Sequence, residues 1–282
     1  MKHAIITACD KKYGNFLINH WYKSLKDNVN LFNIDIIILD YGLSKIQIKK
    51  LLKKNIILIK CKKNGHITSI RFRDIAKIIE NKEYDQIMSI DCADIIFQTD
   101  LDELFSKNNK SLRCVIEDHN HSWASTIVDC YTNSIFFKKI DAKKIKKSLK
   151  KKNSINAGMI VGPKNKFYKL CVDCYSLLKI KSSYGPDQVA ITYLLYRDGF
   201  TILDKKFNYV ILSNKKKEFY IKEGRFYFNN GELISIVHNA GSKAITRTIK
   251  KFGYGKKRNI LKKITYNVLK SSKTIVNSIS KK

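Results

Sequence analysis

Residues 84–105, YDQIMSIDCADIIFQTDLDELF, decide more about this chain than any other stretch. An apolar run (Ile87, Met88, Ile90) ends in two aspartates, Asp91 and Asp94. A second run (Ile95, Ile96, Phe97) leads into an acidic turn, Asp100-Leu101-Asp102-Glu103. A buried strand that delivers carboxylates at its C-terminal end is where an open α/β sheet holds a ligand. Two neighbouring carboxylates are hard oxygen donors and suit Mg²⁺ or Mn²⁺, and such a cation in turn suits a diphosphate. Residues three apart on a strand point to opposite faces. Both aspartates therefore reach one cation only if the strand stops at Asp91 and the chain turns through Cys92-Ala93.

Outward from this segment, residues 3–9 (HAIITAC) read as a first strand. Residues 14–28 follow at helical period, with Phe16, Leu17, His20, Trp21 and Leu25 on one side. Residues 34–40 (IDIIILD) form a second buried strand, and Ser44 is placed as the N-cap of a helix over 45–54. Residues 55–60 are a third strand, 67–82 a helix, and 86–90 the strand before the acids. This β-α-β-α-β order predicts an α/β fold with a mostly parallel, Rossmann-like central sheet and flanking helices. The chain lacks both G-x-G-x-x-G and G-x-x-x-x-G-K-[ST], which argues against a classical NAD site and a P-loop NTPase. Further on, residues 114–117, 134–137, 158–162, 201–203 and 234–238 read as strands, and 164–178 and 186–196 as helices. A last helix over about 258–279 places Leu261, Ile264, Val268, Ile275 and Ile279 near one face, with lysine and polar residues on the others.

With 44% apolar and 11% aromatic residues in 282, the chain can bury a substantial core, which argues against disorder. No run of 18 apolar residues occurs, so no transmembrane helix is expected. MKHAIITACD starts directly as a strand and lacks the features of a signal peptide; a cytoplasmic location is expected. Seven scattered cysteines fit reduced thiols. Cys171 and Cys174 lie in a helical context, FYKLCVDCYSLL, and read as core packing rather than zinc ligands. His119 and His121, in the polar loop EDHNH, read as two exposed histidines of an ordinary polar turn, with a metal role as the lesser alternative. The net charge is +31 and uneven: lysines crowd residues 138–152, no acid follows Glu232, and thirteen Lys and Arg occupy 243–282. Such asymmetry points to a polyanionic partner, either a membrane surface, nucleic acid or an acidic glycan; a merely solvated surface is the bland counterpart. Without a nucleic-acid motif that partner is disfavoured. The basic amphipathic tail either lies in an anionic bilayer interface, making the protein peripheral on the cytoplasmic membrane face, or docks on its own domain.

Five further segments carry candidate chemistry. Thr7-Ala8-Cys9-Asp10-Lys11-Lys12-Tyr13 ends the first strand in a polar loop with an aromatic. Asn156-Ala157-Gly158 enters a strand, and a neutral amide both donates to and accepts from hydroxyls. Pro186-Asp187-Gln188 opens a helix, with proline near its first turn and an acid favoured by the macrodipole. His238-Asn239-Ala240-Gly241-Ser242-Lys243 follows an apolar strand, and imidazole is an acceptable ligand for Mn²⁺. An arginine pair, Arg71 and Arg73, sits in the helix before the acidic strand; a guanidinium suits a diphosphate or sugar hydroxyls.

In this order, and together with the acidic segment, these motifs resemble GT-A glycosyltransferases, especially family 8 and its relatives, over residues 3–243. Asp-Cys-Ala-Asp has one residue more than that family's Asp-x-Asp; other GT-A-like groups show a D-x-x-D followed by apolar-Phe-Gln, as in Ile96-Phe97-Gln98. Either acid or both would then be the ligand. The resemblance implies a GT-A domain over 1–243, with a nucleotide-binding half (1–110), an acceptor and donor-sugar half (111–243), and a basic tail (244–282). It implies a UDP-sugar as donor, Mn²⁺ or Mg²⁺ as cofactor, and a glycan or glycolipid acceptor. Asp91, Asp94 and His238 would hold the metal. Ala8, Asp10 and Tyr13 would surround the uracil, although Tyr13 reads equally as a helix-capping aromatic. Arg73, with Arg71 as the alternative, would face the donor. Asn156 would bind the donor sugar, Asp187 and Gln188 would lie beside the anomeric carbon, and Gly241 and Lys243 would serve the leaving diphosphate. Two other readings compete. A polyanion-binding protein on a GT-A scaffold would have lost catalysis, and a nucleotidyltransferase would need a Gly-rich loop that TACDKKYG does not supply. Residues 118–134 and 205–232 are candidate acceptor loops.

Overall fold

The computed structural model describes residues 1–117, 128–213, 218–241 and 247–259. His119, His121, Lys243 and the tail helix lie outside them. The strands are β1 (His3–Cys9), β2 (Ile34–Asp40), β3 (Ile57–Lys60), β4 (Gln86–Ile90), β5 (Ile95–Phe97), β6 (Arg113–Ile116), β7 (Ile155–Pro163), β8 (Thr201–Ile202), β9 (Tyr209–Val210), β10 (Phe219–Lys222), β11 (Arg225–Phe228) and β12 (Ile236–His238). The helices are α1 (Gly14–Phe16, continued by a π-wound turn Leu17–Trp21 and by Tyr22–Asn28), α2 (Lys45–Leu52), α3 (Ile67–Ile79), α4 (Asp102–Ser106), α5 (Lys139–Leu149), α6 (Lys164–Leu177) and α7 (Pro186–Asp198). The main sheet has the order β3-β2-β1-β4-β7-β6-β8. β1 pairs in parallel with β2 and β4, whereas β7 runs antiparallel to β4 and β6. The sheet is thus mixed and mostly parallel, with strands from both sides of residue 110.

Alternation along the buried strands builds the core on both faces. Ala4, Ile6, Ile37, Leu39, Ile87 and Ile160 point toward α3, α5, α6 and α7. Ile5, Ile36, Ile38, Met88, Ile90 and Val161 point toward α1 and α2. Burial on both faces is why these strands read as continuous apolar runs rather than as polar-apolar alternation. Ser44 caps α2 as expected, in a reciprocal box: the Gln47 amide N–H donates to Ser44 Oγ at 3.3 Å and the Ser44 N–H to Gln47 Oε1 at 3.0 Å. Cys171 and Cys174 are buried in α6 against the core, and all seven thiols are free.

Two local readings are corrected. Residues 134–137 form a turn, not a strand: Asn133 Oδ1 accepts the Ile135 N–H at 3.0 Å, the Phe137 N–H donates to Asn133 O at 3.1 Å, and Ile135 is exposed. The apolar trio mimics a strand, but Asn133 closes the turn with its own side chain. The lysine-rich stretch beyond it is helix α5, with Ala142, Ile145 and Leu149 buried at helical spacing. Residues 205–232, expected as a variable loop, contain a 3₁₀ turn over Lys205–Asn208 and the hairpin β10–β11. Their aromatics form a small core of their own with Tyr209. Among the described residues no helix is long and apolar enough to cross a membrane.

Candidate active site

The condition set by the spacing of Asp91 and Asp94 is met. β4 stops at Ile90, the chain bends through residues 92–94, and β5 restarts at Ile95. Two pairings then bring the other residues in. β7 lies beside β4 with Met159 opposite Ile90, and the Asp91 N–H donates to Gly158 O at 2.8 Å. In a separate three-stranded sheet, β12 runs between β5 and β9. His238 lies opposite Ile95 on one side and Val210 on the other, and the Asn239 N–H donates to Asp94 O at 2.8 Å. Ligand atoms of Asp91, Asp94 and His238 consequently lie within 4.8 Å of one another.

This cluster fits a divalent cation on three observations. Asp94 Oδ1 is buried and has no hydrogen-bond partner, although His238 Nε2 stands 3.5 Å away; a buried carboxylate oxygen left in that state calls for a positive partner. Gly158 keeps the space open: a Cβ there would come within 2.6 Å of His238 Cε1, 2.8 Å of Asn156 Oδ1 and 2.9 Å of Asp91 Oδ2. The donors are two carboxylates and an imidazole, a set suited to Mn²⁺. Gly158→Ala is therefore expected to weaken Mn²⁺ binding by tenfold or more while far-ultraviolet circular dichroism stays that of the parent. Unchanged Mn²⁺ affinity, read by calorimetry at saturating UDP, would contradict the crowding argument.

The charges of the cluster are already partly matched. Arg71, 5% exposed, donates to Asp91 Oδ1 and, at 3.0 Å, to Ala157 O. Arg247 donates to Asp94 Oδ2 at 2.7 Å, to Ala93 O at 3.3 Å and to Gly241 O at 3.1 Å. Burial alone would lower the Arg71 pKa, but the carboxylates of Asp91 and Asp187 hold it above its ordinary value. Withdrawal from water raises the Asp91 pKa; Arg71 opposes that and Asp94 adds to it, with a net rise. For His238, burial works against protonation, but Asp94 and Asp91 overcome it and the pKa rises.

A cavity of about 380 Å³ is lined in part by Ala93 and Asn239, the chain neighbours of Asp94 and His238, and by Arg247, though by none of the three cluster residues themselves. Lys12, Lys250, Lys251 and Arg258 line it with Tyr13, and among the described residues no carboxylate does. Tyr13 occupies the N-cap position of α1 without a capping bond from its side chain. Its ring lies 5.1 Å from Lys12 Nζ and 5.9 Å from Arg247 Cζ. Asp10 accepts from the Lys12 N–H at 3.0 Å and from Lys63 Nζ at 2.8 Å. Ala8 O accepts from Cys92 Sγ at 3.1 Å, which ties the end of β1 to the acidic turn.

Other candidates are placed as follows. Asp187 is buried at the start of α7, where Oδ1 accepts from Thr68 Oγ1 at 3.0 Å and the Gly185 N–H at 3.2 Å. The Gln188 amide donates to Glu117 Oε2 and Ser154 Oγ, each at 3.0 Å. Asn156 is buried and its amide is already engaged: Nδ2 donates to Glu117 Oε1 at 2.6 Å, and Oδ1 accepts from Gly158 N and Asn208 Nδ2, each at 3.0 Å. Arg73 does not reach the acids; it spans Asp74, Asn64 Oδ1 at 2.6 Å and Lys62 O at 3.1 Å. The arginine at the acidic pair is Arg71, because residues two apart on a helix diverge by about 200°. Arg71 shares its stripe with Ile67, Asp74, Ile75 and Ile78 at helical spacing, a signal that could have ranked it first. Glu117, Asn208 and Arg247 were not foreseen, and no local pattern marks them.

No family model matches the chain, and no curated protein matches it. Solved structures do. A crystal structure of an active-site mutant of LgtC superposes with a TM-score of 0.51 at 16% identity, covering 85% of this chain and 88% of that one. The galactosyltransferase LgtC in complex with donor and acceptor sugar analogues gives 0.50 at 15% identity with the same coverage. Likeness at this identity speaks to architecture: a mixed, mostly parallel central sheet with flanking helices, the GT-A fold.

Proposed function

We propose that the chain is a metal-dependent glycosyltransferase that moves a hexose from a nucleotide sugar, UDP-linked, to an acceptor hydroxyl on a glycan, glycolipid or protein. The observation that carries this reading is the Asp91–Asp94–His238 cluster at the C-terminal end of β4, with its orphaned buried oxygen; Arg247, which pairs with Asp94, also lines a neighbouring cationic cavity. Asp91, Asp94 and His238 would hold Mn²⁺ or Mg²⁺, which would neutralise charge on the departing diphosphate. Arg247 and the cavity lysines, with Lys243 a further candidate, add cationic charge for the same group. Asp10 and Tyr13 would receive the base, Asp10 as acceptor for its N–H and Tyr13 by stacking, which stabilises by roughly 1–3 kcal/mol. Asp187 would orient the acceptor or the anomeric centre.

Electrostatics adds a constraint. The two carboxylates are paired with two guanidiniums, so a divalent ion entering alone finds little net negative charge. Cation and diphosphate are therefore expected to bind together, neither well without the other. A cytoplasmic enzyme acting at an anionic membrane, reached through the basic tail, is the partner reading that accords with the +31 charge.

The test is UDP release across a panel of nucleotide sugars with Mn²⁺ and with EDTA, alongside thermal shift by UDP. Metal-dependent release from one donor is the expected outcome. No release and no UDP-induced shift would overturn the transferase reading in favour of a polyanion-binding scaffold, whose signature is steeply salt-dependent binding.

A further inference from the structure

We infer that Glu117, Asn156 and Asn208 form a buried relay that sets the tautomer of His238, so that in the neutral ring Nε2 turns its lone pair into the space it shares with Asp91 and Asp94. The inference rests on the metal reading above and deepens it by naming the positioning residues that prepare one ligand.

The direction of each bond follows from what each group can do. An ionised carboxylate only accepts. Glu117 Oε1 accepts a hydrogen bond from Asn156 Nδ2 at 2.6 Å, and Oε2 accepts one from Gln188 Nε2 at 3.0 Å. This fixes the Asn156 amide with its oxygen on the opposite side. There Oδ1 accepts the Gly158 backbone N–H at 3.0 Å, and a backbone N–H can only donate. Asn156 is thus held at both ends, by an obligate acceptor and an obligate donor. Its oxygen also accepts from Asn208 Nδ2 at 3.0 Å, which turns the Asn208 oxygen toward His238. Asn208 Oδ1 lies 3.1 Å from His238 Nδ1. An amide oxygen cannot donate, so Nδ1 carries the proton. In neutral imidazole the other nitrogen then bears the lone pair, and Nε2 is the atom 3.5 Å from Asp94 Oδ1.

Burial gives the relay its force. Glu117 is 6% exposed, Asn156 4%, Asn208 0% and His238 2%. Water is excluded from correcting a wrong orientation, so reversing any one amide would set donor against donor along the line. The members come from four places in the chain: the end of β6, β7, the 3₁₀ turn before β9, and β12. The same Glu117 carboxylate holds Gln188 at the start of α7, so one acid braces both the metal wall and the helix that carries Asp187. A second shell that fixes the tautomer and ring orientation of a metal-binding histidine commonly changes metal affinity 10–100-fold when it is removed.

The experiment uses the full chain and the Asn208→Leu variant, which keeps the branched outline of the side chain, with a larger volume, and removes both bonds of the amide. Two quantities are read. The first is the ring ¹⁵N signature of His238 in metal-free protein, at a pH high enough for one ring proton. The second is the Mn²⁺ dissociation constant at saturating UDP. The wild type is expected to show the Nδ1–H form. The variant is expected to show a mixture or the Nε2–H form, with the dissociation constant raised about 10–100-fold. Glu117→Gln, whose amide can turn its NH₂ toward either neighbour, is the second variant should Asn208→Leu not fold, and a rise in the same direction is expected. A wild-type ring in the Nε2–H form, or equal Mn²⁺ affinity in a folded variant, overturns the relay. If the wild type itself binds no Mn²⁺, the metal reading fails, and the ring signature still decides the tautomer.

Discussion

Replacing Asp91 and Asp94 together by asparagine is expected to bring metal-stimulated release of UDP to background, a loss of about a thousandfold or more. Asparagine preserves shape and removes two negative charges from a three-ligand cluster. Metal stabilisation of a charged leaving group is worth several kcal/mol, and about 4 kcal/mol corresponds to a factor of about a thousand. The substitution also strips the partners of Arg71, which is nearly fully buried, and of Arg247. Unpairing a buried ion costs roughly 3–5 kcal/mol of stability, so activity must be read against folding. Thermal shift separates the two effects. Mn²⁺ with UDP at about one hundred times the dissociation constant should stabilise the wild type by about 2.7 kcal/mol, whereas the variant should gain nothing even below its melting temperature. Adding Arg71→Met removes the stranded guanidinium and should restore part of the stability without restoring turnover. Metal-stimulated release within tenfold of the wild type in the doubly substituted chain would exclude these acids as the ligands.

Replacing Arg113 by methionine is expected to destabilise the fold by about 3–5 kcal/mol while leaving the site residues in place. Arg113 is fully buried in β6. Its guanidinium donates to Leu104 O and Lys107 O, each at 2.6 Å, to Ser111 O at 3.2 Å, and to Gln86 Oε1. Two of these carbonyls lie in or just beyond α4, where the helix presents its negative end. The side chain therefore ties the helix after the acidic turn to β6 and, through Gln86, to β4. Burial pushes its pKa down to about 10, which still leaves it cationic at neutral pH. A hydrogen bond to a charged group contributes about 1.5–3 kcal/mol, and buried acceptors left unmade add to the loss. Urea unfolding should show a lower midpoint with an unchanged slope. A loss under about 1 kcal/mol would show that water or a neighbouring side chain replaces the guanidinium.

Much of the nucleotide-binding half was legible because its signals are local. The apolar runs over residues 3–9, 34–40 and 86–90 mark β1, β2 and β4 with their observed ends. Each is bounded by polar residues within one or two positions. Ser44 and Gln47 write a cap within a single turn, and Asp91 and Asp94 demand a bend that the backbone supplies. His238 was visible as the polar residue ending an apolar strand. The failures were also physical. Residues 134–137 have strand composition but no strand to pair with, and Asn133 offers a turn instead. Arg73 was preferred by distance along the chain, although direction around α3 belongs to Arg71.

The sequence by itself determined the order of elements, the two-sided burial of the sheet and the candidate ligands, because these depend on residues within a turn or a strand of one another. Only the tertiary structure decided that His238 meets Asp94, that Arg247 pairs with the same carboxylate, and that Glu117, Asn156 and Asn208 stand in line behind the histidine. Those contacts depend on β7 pairing with β4, and on β12 pairing with β5 and β9. Pairing between segments up to some 140 residues apart is set by mutual burial of whole surfaces, and no short stretch of chain encodes it.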